Sequence, residues 1–492
     1  MIQSNGKLPF SQYSYLYDIV VPKGHRLRRI LDILDFTFIY DELKDKYSPD
    51  NGRMAVDPVM MFKYLFLKVL YGLSDRFLVE RCMSDMSFKY FLGLNPEDAV
   101  INPTSLTKFR RMRLKDKDMM NILLRKSVEI AQDKGLIDGS TIIVDSTHTL
   151  SRSTPARPAE LLQRQSKHLR KLIYSVDEDY KSKLPSKYEG SDLKQEMDYI
   201  KALTEYVSSD PHLAFREDIA ERTELLKETV SDIEDHYTTS SDRDARTGHK
   251  TQDSEFFGYK THIAMTPERL IVAAEVTSGE KGDGPQLPGL INASMELLPN
   301  LRRVVGDGAY AGDRNLEAAE EKGLAIVAKV NRTLARSANG EKGGFIFNKD
   351  ADTMACPAGH LAIRMRHDDS RKKQTGWMAY VFDRNICKTC PLGETCPVMK
   401  KDKSGRPRYI FRATKNNESR SRQLAFMKTE EYALWAKERY KIEAKNSEIK
   451  NRYGYDRADY YGLYGMKIQG AVALFASNIS RILKLEDEKV EI

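Results

Sequence analysis

At 492 residues the chain exceeds one ordinary domain, and about two to four folding units are expected. Its 41% hydrophobic and 30% charged residues suit a globular protein in water, and apolar runs such as Val59-Met60-Met61-Phe62 and Ala471-Val472-Ala473-Leu474-Phe475-Ala476 are too short to cross a bilayer. Lysine and arginine outnumber aspartate and glutamate 79 to 71, a net charge of +8 and a pI near 8.9, which permits a polyanionic partner without requiring one. The opening residues, Met1 to Lys7, lack a basic segment followed by an apolar core, so a cytoplasmic address is expected.

Residues 8–135 read as mostly helical. Arg26 to Leu34 has helical spacing with a basic face, and Asp57-Pro58 supplies an N-cap with proline at the first helical position. The helix beyond it carries Met61, Tyr64, Leu65, Lys68 and Val69 and ends at Gly72; another runs from Ser74 to about Cys82. In Asn102-Pro103-Thr104-Ser105-Leu106-Thr107-Lys108-Phe109-Arg110-Arg111-Met112-Arg113, a Thr or Ser cap leads a short helix bearing Lys108, Arg110, Arg111 and Arg113. That pattern suits a recognition helix laid against DNA, and a surface helix with a solvated basic face is the alternative. One more amphipathic helix covers 118–134, ended by Gly135.

Ile142-Ile143-Val144-Asp145-Ser146-Thr147 then reads as a short buried strand whose last residue delivers an acid to the sheet edge. From about Ser151 to Asp235 strand signals vanish, and charged, helix-compatible segments form a helical insertion. Phe256–Met265 and Leu270–Val276 flank Thr266-Pro267-Glu268-Arg269, a hairpin signature. A helix from about Gln286 to Leu298 leads to Arg303-Val304-Val305-Gly306-Asp307-Gly308-Ala309-Tyr310, where a second strand ends in an acid between two glycines. A helix near Arg314–Lys322 and a strand at Ala325–Ala328 complete a mixed α/β sheet interrupted by insertions.

Residues 331–415 hold Cys356, Cys387, Cys390 and Cys396, four of the five cysteines, with His360 as an alternative donor. A Cys-x-x-Cys pair with two further thiols predicts a structural, zinc-knuckle-like site rather than a disulfide scaffold, reduced and partly buried thiols being the alternative. Thr429 to about Tyr453 reads as one long helix closed by Gly454, and a final apolar helix spans about Lys467–Leu483. On the first of these, Arg439, Glu443, Asn446 and Lys450 share one face, whereas Glu448 points elsewhere. Two strand-end aspartates and one helix-borne glutamate can together hold a pair of divalent metal ions.

Taken together, these residues resemble a DDE transposase of the bacterial insertion-sequence type. The resemblance rests on Asp145 at the end of a core strand, on Asp307 and Tyr310 in a glycine-containing Asp-x-x-Tyr pattern, and on Glu443 with Arg439 four before and Lys450 seven after. It extends to the Thr-Ser-Leu-x-x-Phe-Arg run of the helical N-terminal region, to Asp242-x-Asp-Ala-Arg246, and to the cysteine insertion found in some members. Ala436 stands where the family usually has a tyrosine three residues before the arginine, which touches base-flipping contacts and not the metal site.

The resemblance implies a ribonuclease-H-like core built from 136–150, 236–330 and 416–492. Around it come a helical DNA-binding domain over 1–135, a helical insertion over 151–235 and a Cys-rich insertion over 331–415. It implies Asp145, Asp307 and Glu443 as catalytic ligands of two Mg²⁺ (or Mn²⁺) ions, Asp145 bridging, with Arg439 and Lys450 beside them on the DNA backbone. The expected partners are the terminal inverted repeats of the element, target DNA and a second copy of the chain. The residues leave open a nuclease without strand transfer and a DNA-binding protein without catalysis. A zinc hydrolase is disfavoured by only nine histidines with no His-x-x-x-His pair. His148, Lys260 and His262 are read as structural.

Overall fold

A computed structural model gathers six strands into one sheet: β1 (Thr141–Leu150), β2 (Arg246–Thr251), β3 (Ser254–Met265), β4 (Ile271–Ser278), β5 (Arg303–Val305) and β6 (Ala325–Val327). It describes every residue except 1–10, 49–54, 188–191, 235–239, 252–253, 331–343, 349, 368–376, 400–404, 406–407, 415–417 and 491–492. The N-terminal residues read for a secretory signal and the start of the cysteine region lie outside the described residues.

The strand order is β2-β3-β1-β5-β6, with β4 paired along the second half of β3. Strand β1 is antiparallel to β3 from Ile143↔Met265 to Leu150↔Gly258, and parallel to β5 only from Thr141↔Arg303 to Ile143↔Val305. Asp145 was expected to end its strand; instead β1 continues to Leu150. Alternation explains the difference, because Thr147 and Thr149 are β-branched and buried and keep pairing with β3. What ends near Asp145 is the parallel ladder. Strand β2 was not foreseen as a strand. The expected hairpin forms, with Arg269 in its turn at φ +70°.

The helices of the N-terminal region fall close to their expected bounds, at Arg26–Ile33, Pro58–Leu70, Asp75–Ser84, Pro103–Met112 and Met119–Asp133. Asn102, rather than Thr or Ser, caps the fourth, its Oδ1 accepting from the Thr104 amide at 3.0 Å. Their aromatic core runs into the C-terminal helix, where Phe475 meets Phe62 and Phe66 at ring distances of 6.3 and 5.8 Å. That last helix spans Gly462–Val490, longer than expected because its charged end is held by Lys134–Glu486 and Arg29–Asp487 ion pairs of 2.6 Å. The single helix expected over 429–453 is divided into Glu430–Ala436, a tighter turn at Lys437–Arg439, and Tyr440–Tyr453.

Helices Pro158–Val176, Leu193–Ser209 and Glu217–Glu234 pack on their own apolar core around Leu169, Leu203 and Leu226. A smaller core around Phe345, Phe382 and Phe411 underlies the cysteine region. Among the described residues no helix is long and apolar enough to cross a membrane.

Asn478, fully buried, joins the last helix to the sheet. Its Oδ1 accepts from the Ile271 amide at 2.8 Å, and its Nδ2 donates to the Ile271 carbonyl at 2.7 Å and to Ser127 Oγ at 2.9 Å. Asn478→Leu would strand these groups without water, so urea unfolding should show a loss of about 2–4 kcal/mol.

Candidate active site

Asp145 lies just past the point where β1 stops pairing with β5, beside the gap that opens between the two strands. Burial pushes that carboxyl up to about 6, and the nearby Asp307 and Asp283 carboxylates add to the rise, while the Ser146 amide and the Arg439 guanidinium oppose it.

Asp307 follows β5 by two residues, in a turn closed by the Ala309 amide donating to its Oδ1 at 2.9 Å. Gly306 is required there, because a Cβ would stand 2.8 Å from Tyr310 Cδ2 and 2.9 Å from Val144 Cγ2. Tyr310 is 1% exposed, and its hydroxyl is pushed far up by burial and by Asp283, Asp145 and Asp307 around it.

A second Gly-Asp-Gly turn, Gly282-Asp283-Gly284, stands beside the first. A Cβ on Gly284 would be 2.7 Å from the Ala309 carbonyl oxygen, so the two turns touch along their backbones. Asn315 clamps them, its Nδ2 donating to the Gly284 carbonyl at 2.9 Å and the Tyr310 carbonyl at 3.1 Å. Asp283 receives Lys260 Nζ at 3.2 Å and lies 3.6 Å from Nδ1 of the buried His262, too far for a hydrogen bond. Burial pushes His262 down to about 4, so at neutral pH it is the uncharged imidazole, bonded through Nε2 to Thr277 Oγ1 at 3.0 Å. Sequence reasoning missed Asp283; the repeated Gly-Asp-Gly was the available signal.

The third element is the Tyr440–Tyr453 helix, which presents Asn446 to β1, its Nδ2 donating to Asp145 Oδ2 at 3.0 Å. The Asn446 Oδ1 is buried with no partner. One turn earlier on the same face, Glu443 is 61% exposed and meets Arg439 Nη2 at 3.5 Å. One turn later, Lys450 Nζ lies 3.2 Å from the ring of His148, which packs against Phe256. Glu448 turns away to Arg269 at 2.9 Å and to the buried Lys445 at 3.4 Å. It is therefore the counter-ion of a structural lysine, whose ammonium burial pushes down to about 8. The three expected acids thus belong to elements that meet at Asp145. Among the described residues, however, no three His, Cys, Asp or Glu side chains are gathered to hold a metal ion.

The two aspartates of Asp242-x-Asp-Ala-Arg246 serve the fold. Asp242 Oδ1 accepts from the Gly462 amide at 3.0 Å and Asp244 Oδ2 from the Leu463 amide at 2.7 Å, satisfying the open end of the last helix.

Of the basic residues expected to face DNA, Lys108 and Arg111 are exposed. Arg110 is instead 8% exposed, bonded to Asp75 at 3.2 Å and set over the Tyr460 ring at 4.9 Å. Arg113 donates to the Lys46 carbonyl and lies 4.2 Å over the Tyr47 ring. Both correct the expectation of a uniformly DNA-facing set: a guanidinium drawn into the protein must be paired, and these two are engaged in holding helices together.

Cys356, Cys387, Cys390 and Cys396 converge, with His360, on one cavity of about 30 Å³. Burial and the three neighbouring thiols push Cys387 up. Cys82 lies apart in the N-terminal core.

Because its folded-state pKa is raised, Asp145 contributes stability fully present below the unfolded value near 4 and lost as pH rises through about 6. Without divalent metal, Asp145→Asn should therefore gain on the parent chain over that window by on the order of 2–3 kcal/mol, and the gap should be constant above it. Urea unfolding across the pH range measures it; parallel curves for the two proteins would contradict the site's electrostatics.

Residues 15–112 match the family described as a transposase domain (DUF772), and residues 227–479 match the transposase DDE domain. The second match covers just over half of the chain and contains Asp307 and Glu443, while Asp145 lies between the two matches. No curated protein and no solved structure is detectably similar to the chain. Strand β1 is nevertheless built into the matched segment through its long ladder with β3. The chain belongs to the DDE transposases of insertion sequences and is a DNA transposase.

Proposed function

We propose that Asp145, Asp307 and Glu443 are the acids of the transposition reaction, which cuts DNA at the ends of an insertion sequence and joins those ends to target DNA. The observation that carries this reading is the Asp145 carboxyl, pushed up to about 6 beside Asp307 and Asp283 and hydrogen-bonded by the helix that bears Glu443. Like charges crowded in a half-buried site without a full counter-charge are what a cation would relieve. The orphaned Asn446 Oδ1 and the all-oxygen donor set fit Mg²⁺ or Mn²⁺ rather than a soft metal. Asp145 would be shared by two ions, with Asp307 and Glu443 each completing one site; Glu443 would leave Arg439 to do so. Bound there, such ions supply Lewis acidity and neutralise charge on the reacting phosphate.

The chain's own groups do the rest. Asn446 holds Asp145 Oδ2 in place, and Asn315 fixes the Asp307 turn against the Asp283 turn. Arg439 and Lys450 flank the acids and would hold phosphate oxygens, with His148 kept in position by Lys450. In the cut, a water oxygen bonds to phosphorus and gives a proton to solvent, while the bond to the 3′ oxygen breaks and that oxygen takes up a proton as the 3′ hydroxyl. In the joining step the freed 3′ hydroxyl attacks a target phosphodiester in the same way. The order β2-β3-β1-β5-β6, with β1 antiparallel to β3 and parallel to β5, supports a ribonuclease-H-like core, and the separate small apolar cores support helical and Cys-rich insertions. Joining two ends calls for at least two copies on DNA, and the work would be done in the cytoplasm. The four converging thiols would bind one structural zinc.

Purified chain should cleave and join DNA bearing the element's inverted repeats in Mg²⁺, and Asp307→Ala should lower both rates by about three orders of magnitude or more. Cleavage without joining would favour a nuclease, and binding without either would leave a DNA-binding protein. Because a proton on Asp145 competes with the metal, the Mg²⁺ concentration giving half-maximal cleavage should rise as pH falls below about 6. Elemental analysis should find one zinc per chain, lost together with thermal stability in Cys387→Ser; a metal-free parent chain would remove the zinc assignment.

A further inference from the structure

Away from the acids, a cleft of about 1170 Å³ opens where the N-terminal helices, the segment after β1 and the loop before the last helix meet. It exceeds the roughly 300–1,000 Å³ of small-molecule pockets. Its floor is neutralised: Lys68 is bonded to Asp459 and, at 3.2 Å, to the Tyr460 hydroxyl, while Arg110 pairs with Asp75. Its rim is different. Arg111 and Arg457 are exposed and have no carboxylate partner among the described residues, and Arg152 Nη1 reaches only the neutral Asp459 carbonyl, at 3.1 Å. Beside them stands the Tyr461 ring, 55% exposed. Three uncompensated guanidinium groups with an exposed aromatic ring are the chemistry of a nucleic-acid backbone site.

The cleft is fixed in register with the acids. Arg457 bridges to Leu150, and the Leu150 amide donates to the Asp456 carbonyl at 2.9 Å. Leu150 is the last residue of the strand that carries Asp145. Five strand residues span roughly 17 Å, and along the axis of a DNA duplex each strand carries a phosphate about every 3.4 Å. Lys450, at His148, stands on the path between.

We propose that this cleft grips the sugar–phosphate backbone of the DNA roughly five nucleotides from the reacting phosphate, through Arg111, Arg152 and Arg457, with Tyr461 stacking on a base or sugar. Only the spacing rests on Asp145 being part of the reaction centre.

The test compares the full-length chain with Arg111→Ala/Arg457→Ala by anisotropy of a labelled random-sequence duplex over a salt series without divalent metal. The slope of log affinity against log salt should become shallower by about two, with a tenfold or greater loss at low salt. Because neither side chain has a carboxylate partner among the described residues, the variant should melt as the parent does. Lys428→Ala/Lys484→Ala removes the same charge outside the cleft and should leave the slope within half of that change. A parent-like slope in the cleft variant, or an equal loss in the control, overturns the proposal. Neutral methylphosphonates placed singly along the end DNA should weaken parental binding about five nucleotides from the cut and have no effect there on the variant. Weakening elsewhere only would overturn the register. Absence of cleavage by the parent chain, with the slope change intact, would instead overturn the catalytic assignment and leave the cleft standing.

Discussion

A half-buried carboxylate set beside other carboxylates is the constraint around which this molecule is arranged. Asp145 is brought there by its strand, since β1 continues on the β3 side and loses its β5 partner on the other. The cost of crowding negative charge is met in part by the Ser146 amide, Asn446 and Arg439, and the remainder leaves the carboxyl protonated to about pH 6. An uncompensated carboxyl of this kind destabilises the fold above about pH 6, and a cation placed beside it would relieve that cost.

The groups around Asp145 come from distant parts of the chain, and the packing that unites them is unusually explicit. Gly284 lets the two acid-bearing turns approach so closely that a Cβ there would clash with the Ala309 carbonyl, and Gly306 leaves room for Tyr310 and Val144. Asn315 then bonds to both turns. The last helix closes the assembly from behind: Asp242 and Asp244 hold its N-terminal amides, Asn478 bonds to the edge of β4, and Phe475 enters the N-terminal aromatic core. Removing either end of the chain would therefore expose apolar surface belonging to the other, which is a reason for the N-terminal helices and the catalytic sheet to behave as one folding unit.

The charge of the chain is also sorted by packing rather than by composition. A net +8 says little, because many cations are consumed internally. Arg110 and Arg113 tie helices together, Lys445 is buried beside Glu448, and Arg420 is 2% exposed against Asp313. What remains available to a polyanion is a smaller set that includes Arg111, Arg152 and Arg457 around one cleft.

Much was legible in the sequence, for identifiable reasons. Branched apolar runs stopping at Asp145 and Asp307 marked the core strands, helical spacing put Asn446 and Lys450 on the face of Glu443, and Cys-x-x-Cys with two further thiols marked residues that line one cavity. These are local signals, set by side-chain period and by residue chemistry. Other features depended on partners far away in the chain. The extension of β1 to Leu150 needed β3, the break before Tyr440 interrupts an otherwise unbroken helical pattern, and the burial of Arg110 needed Asp75 and Tyr460. Asp283 became part of the site only because its turn touches that of Asp307. Residue order alone was enough to mark three candidate acids, the elements that carry them and the transposase family. Which charges are crowded, which are neutralised and which stay exposed follows from the packing, because those energies depend on distance and burial rather than on order along the chain.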